Sequence, residues 1–168
     1  MRGSRLCAQS LLLAATASFF SADWRVRAQS TQSAAPEQEL LLGSWKLDVA
    51  KSRYTPGPPP RNETRTYARD AAGVMGTIRR QRDDGRLEVI EYRADFDREY
   101  PVMGTEAYDT IRLKRIDART AEAVLSHAGR VFGTARRVIS EDGKTLTITF
   151  RQEDQGRLEN NIAIYRKE

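Results

Sequence analysis

Residues able to do chemistry are few and scattered in this chain of 168 residues. In the stretch "ADFDREY", Asp95 and Asp97 stand two apart, hence on one side of an extended strand, with Glu99 two further on. Such a group could gather round a cation, but calcium takes about six to eight oxygens, usually from a glycine-turned loop. The stretch therefore reads as a solvated turn. Glu88 and Glu91 fall on opposite strand faces and make no acid–base dyad. His127, the one histidine, follows Ala123 and Leu125 on a single face beside an "AGR" turn. It reads as a rim residue, because no second histidine exists to complete a zinc site. An active site would need distant residues such as Tyr100, Asp109 and His127 brought together by folding, and nothing in their spacing recommends it. No glycine-rich phosphate loop and no serine elbow is present. The expectation is a protein with no catalytic residues, no metal and no cofactor.

Residues 1–28 read as an export signal. Arg2 and Arg5 form a positive start, "LLLAATASFF" (11–20) is a short apolar run, and Val26-Arg27-Ala28 offers small residues for cleavage after Ala28. That run is shorter than the ~20 residues needed to span a bilayer, and no later segment approaches that length, so no membrane span is expected. The protein is expected to be periplasmic or secreted. Cys7, the one cysteine, leaves with the signal, so no disulfide supports the remaining ~140 residues. Four arginines and one acid leave too, from a total of 28 basic and 23 acidic residues, and the remainder is near neutral at about +2. The alkaline pI is then no sign of nucleic-acid binding, and Arg79-Arg80 and Arg136-Arg137 read as solvated strand faces.

Any site must be positioned by the chain beyond the signal. Residues 29–41 read as a flexible polar leader in which "EQELLLG" has the makings of one helical turn, and 42–168 as the folded domain. Ten short runs alternate with turn chemistry: 44–49, 63–69, 74–81, 86–94, 99–103, 109–116, 121–127, 131–140, 145–152 and 158–167. The intervening "DDG", "DAR", "AGR", "EDGK" and "DQG" are hairpin turns. Period-two patterning is clearest in "TLTITF", where Leu146, Ile148 and Phe150 share a face. No sustained helical stripe follows residue 43. The fold class is all-β: one antiparallel up-and-down barrel of about eight to ten strands, closed so that no edge is exposed. Its expected apolar lining is Val89, Leu113, Ile148, Phe150, Ile162 and Ile164.

The segments "GSWKLDVAKSRYTPGPPPRNETRTY", "DREYPVMG", "DTIRLKRIDARTAE", "RRVISEDGKTLTIT" and "NIAIYRK" resemble a group of exported bacterial lipocalin-like proteins, from Gly43 to Lys167. The resemblance implies a calycin-like barrel. In that superfamily a Gly-x-Trp opens the first strand, and its indole closes one end against a basic side chain of the last. Gly43 and Trp45 match, with Arg166 as counterpart and Lys167 beside it. The close "AIYRK" is similar to the Arg-x-Tyr ending of fatty-acid-binding proteins, but Ala163 stands at the arginine, and the alternation turns Tyr165 outward. The implied function is binding of a small hydrophobic or amphipathic ligand inside the barrel. The alternative is a solid barrel that serves as an interaction module through its surface.

Overall fold

The structure, a computed structural model, describes residues 36–168 apart from 83, 155 and 156. The expected export signal and residues 29–35 of the expected leader lie outside the described residues. A short helix α1 (Pro36–Leu41) leads into β1 (Gly43–Leu47), β2 (Asn62–Asp70), β3 (Gly73–Gln81), β4 (Leu87–Arg93) and β5 (Glu99–Met103). Then come β6 (Thr110–Arg115), β7 (Thr120–His127), β8 (Arg130–Ile139), β9 (Thr145–Asp154) and β10 (Arg157–Lys167). Each strand pairs antiparallel with the next, and β1 also pairs with β10, so the sheet closes into an all-β up-and-down barrel. Aspartates set several turns by accepting backbone N–H groups: Asp84 from Arg86 (3.0 Å), Asp117 from Arg119 (2.8 Å) and Asp142 from Lys144 (3.0 Å).

The hydrophobic core runs through the barrel interior and reaches the end where α1 enters. Leu41, Trp45, Val74, Ala94, Leu146 and Tyr165 are all fully buried there. Trp45 joins helix to barrel, because its indole N–H donates to the Leu41 carbonyl (2.7 Å), one of the helix-terminal acceptors without an intrahelical partner. The Lys167 ammonium donates to the Leu40 carbonyl (3.0 Å) and stands 5.0 Å from the indole ring, so a cation meets both the helix C-terminus and the aromatic face. Gly43 lies directly before this contact with φ 119°, a conformation that suits glycine, and an added Cβ would come within 3.1 Å of the Lys167 side chain.

Two expectations are corrected here. Residues 36–41 form the helical turn expected of "EQELLLG", with Leu41 fully buried, but the turn starts earlier and also buries Glu37, so the leader assignment does not hold for this stretch. The cation over Trp45 is Lys167, because Trp45 and Lys167 are direct cross-strand partners. Arg166, one residue out of phase, points outward and pairs with Asp48 (2.9 Å).

Truncating Trp45 to Ala should cost about 3–5 kcal/mol in equilibrium urea unfolding, while Trp45→Phe, which keeps most of the apolar volume and loses the indole bond, should cost about 1–3 kcal/mol.

Candidate functional site

Beyond the packed end the barrel holds a cavity of about 400 Å³, within the ~300–1,000 Å³ typical of small-molecule sites. Small side chains create the space. Ala121 and Ala123 on β7, Ala135 on β8 and Ala163 on β10 all line it, with Ala123 directly opposite Ala135. Ala107, an exposed residue of the β5–β6 loop, also lines it, so the cavity meets solvent at the end away from α1.

One wall is apolar and aromatic. Tyr108, Phe132 and Phe150 form a row with ring centroids 5.7 and 6.2 Å apart. A register shift after Leu125 leaves Phe132 outside the β7–β8 pairing and among the lining residues. Leu113 and Ile148 complete this side.

The other wall is polar. On β2, Glu63, Arg65 and Tyr67 share the inward face. The Glu63 carboxylate accepts from Arg65 Nε (2.8 Å) and from the Tyr165 hydroxyl (2.6 Å), and Arg65 Nε is also 2.9 Å from that hydroxyl. Deeper in, Arg137 on β8 makes a two-point bond to Glu37 of α1 (2.8 and 3.0 Å) and lies 5.6 Å over the Tyr67 ring. Toward the mouth, Arg80 on β3 pairs with Glu88 on β4. The Tyr67 and Tyr92 hydroxyls meet at 3.1 Å across Gly76, where a Cβ would fall 3.0 to 3.1 Å from both rings, so a larger residue would push the phenols apart.

Burial works against the charge on Arg65, but Tyr165 and Glu63 outweigh it and raise its pKa well above the ordinary guanidinium value. In Arg137 the same opposition is won by Glu37. Burial pushes the phenols of Tyr54, Tyr92, Tyr108 and Tyr165 upward.

Of the residues expected to line the barrel, Leu113, Ile148 and Phe150 do. Val89 does not: Ile90 takes the buried position, because Glu88 and Tyr92 share its parity and Glu88 is held inward by Arg80. Ile162 and Ile164 also point outward, while Asn161, Ala163 and Tyr165 face in. The pairing of Leu47 with Tyr165 sets this phase. The two isoleucines are half-buried beside the segment 48–53, whose backbone bonds to both residues: Asp48 donates to the Ile164 carbonyl (2.7 Å), and Arg53 exchanges bonds with Ile162 (2.7 and 2.8 Å). Tyr165 is therefore inward, not outward. Arg79 and Arg136 lie on the solvated face as expected, but Arg80 and Arg137 line the cavity. Asp95 is more than a solvated turn, since it accepts from Gln38 of α1 (2.9 Å) and from the Val74 amide (3.1 Å). His127 is exposed on the rim, 4.0 Å from Asp109.

Sequence reasoning missed the inward charges because it assigned Arg79-Arg80 and Arg136-Arg137 to solvent as pairs and sought the lining among apolar residues alone. Parity with Tyr67 marks Glu63 and Arg65, and parity with the buried Ile139 marks Arg137. Among the described residues, no three His, Cys, Asp or Glu side chains are placed to hold a metal ion. Nor is any helix among them long and apolar enough to cross a membrane.

The fold and cavity define a class by shape: a closed antiparallel up-and-down barrel, compatible with a lipocalin-like fold. No protein-family model and no curated protein matches the chain.

Breaking the Glu37–Arg137 pair with Glu37→Ala should cost about 3–5 kcal/mol, since it strands a buried guanidinium. Arg166→Ala, at an exposed pair, should leave the urea midpoint within error. The buried phenols also fix a pH dependence. Their folded pKa values are raised, so their contribution is complete below the ordinary phenol value of about 10 and is lost as pH climbs through the folded values. Urea stability should be insensitive to these groups below that pH and fall above it, with phenolate absorbance rising together with unfolding.

Proposed function

We propose that this protein is an exported lipocalin-like carrier that takes a small amphipathic molecule into its barrel. The observation that carries the reading is the cavity itself: about 400 Å³, solvent-connected at one end, with an aromatic wall facing a wall of guanidinium and phenol groups. That combination matches binding sites in general, where apolar surface supplies affinity and a few polar groups fix orientation. The signal-like residues 1–28 support export. Trp45 sealing one end against Lys167 supports the lipocalin-like assignment.

Burial pushes the cavity phenols Tyr108 and Tyr165 further above the neutral range, which argues against their use as general bases. The solid-barrel alternative required a filled interior, and the four alanines leave it open.

The test fills the space. Ala123→Leu combined with Ala135→Leu should leave far-UV circular dichroism and the melting temperature essentially intact, while weakening the binding of a hydrophobic fluorescent dye by about tenfold or more. Undiminished dye binding in the filled barrel would place the site elsewhere, and no dye binding to the unaltered protein would end the carrier reading.

A further inference from the structure

We infer that Glu63 sets the charge specificity of the cavity, making it a site for a neutral ligand that offers an acceptor oxygen and excluding carboxylates. The inference rests on the reading that the barrel holds a ligand. Glu63 is almost completely buried, and one of its oxygens is bound by both Arg65 and Tyr165. The positive charge of Arg65 is thus matched from within. Its hydrogen-bonding capacity is not exhausted: among the described residues its two terminal nitrogens have no protein partner, yet no buried side-chain nitrogen lacks one, so both open onto the cavity.

The other inward arginines are matched in the same way, Arg80 by Glu88 and Arg137 by Glu37. Glu159 adds a further carboxylate to the lining. The cavity accordingly offers donors without net positive charge. An entering carboxylate would lie beside Glu63 in a poorly screened interior, where like charges disfavour one another. A carbonyl, ether or hydroxyl oxygen can accept from Arg65 without that penalty, while its apolar body lies against Phe132 and Phe150.

The same geometry makes Glu63 a specificity-determining residue. In E63Q the amide oxygen can still accept from Tyr165 and Arg65, but the guanidinium becomes an unmatched cation facing the cavity, and preference should pass to anions.

The experiment uses three probes on one skeleton, 9-anthracenemethanol, 9-anthracenecarboxylate and 9-anthracenemethylamine, titrated by fluorescence into the unaltered protein and into E63Q at neutral pH. The alcohol should bind the unaltered protein about tenfold or more tighter than the carboxylate, with the order reversed in E63Q. A carboxylate or amine that binds the unaltered protein as tightly as the alcohol overturns the charge assignment and leaves the carrier reading standing. If none of the three binds, the carrier reading falls and this inference with it. Should E63Q fail to fold, the ranking in the unaltered protein decides alone.

Discussion

A guanidinium cannot be buried without a partner, and three arginines point into this barrel. Removing a charge from water costs several kcal/mol even after relaxation. Each of Arg65, Arg80 and Arg137 is therefore tied to a glutamate. This requirement reaches beyond the pairs themselves. The partner of Arg137 is Glu37, which belongs to α1 and not to the sheet, so satisfying that one arginine draws the helix into the barrel end. With the helix come Leu41, which joins the core, and the carbonyls that Trp45 and Lys167 complete. The closed end is thus an electrostatic consequence as much as a hydrophobic one.

The barrel divides its labour along its length. At the α1 end, the large side chains of Leu41, Trp45, Leu146 and Tyr165 are fully buried. Toward the mouth, the alanines of β7, β8 and β10 retreat from the axis, and the aromatic row Tyr108, Phe132, Phe150 stands across a gap. Empty apolar volume forfeits packing contacts, so this half contributes less to stability than its strands could supply. A fold able to tolerate that loss needs burial elsewhere, and the sealed end provides part of it.

Strand positions and topology were legible in the sequence because they depend on turn chemistry and on period two, which act locally. All ten expected runs became strands, with ends shifted by a residue or two. Strand phase was legible only where a single apolar set existed, as with Leu146, Ile148 and Phe150. It was misread in β4 and β10, where the run "EVIEY" and the isoleucines of "NNIAIY" offer apolar residues to both faces. There the deciding influence is a cross-strand partner: Arg80 holding Glu88 inward across the β3–β4 hairpin, and Leu47 of the first strand standing opposite Tyr165 of the last. The candidate site suffered most, since its defining residues are charged, and a charged residue in an alternating strand is assigned to solvent by default. Two of the three pairs are local, Glu63 with Arg65 two apart on β2 and Arg80 opposite Glu88 across the β3–β4 hairpin, so an acid beside each base on the same face was the signal against that default.

The three ion pairs differ in exposure, and the difference orders their roles. The Glu37–Arg137 pair, both members almost fully buried, ties α1 to the barrel at the deep end of the cavity. The Arg80–Glu88 pair is half-open at the mouth, and water screens it. Between them, Arg65 is 17% exposed and Glu63 1%, so the acid is sealed into the wall while the base still reaches the cavity. An apolar substitute for the whole pair would commonly stabilise a barrel, so its presence is poorly explained by folding alone. It is well explained if donors are needed at that depth without a net charge, a combination that an isolated arginine or an isolated tyrosine would supply only in part.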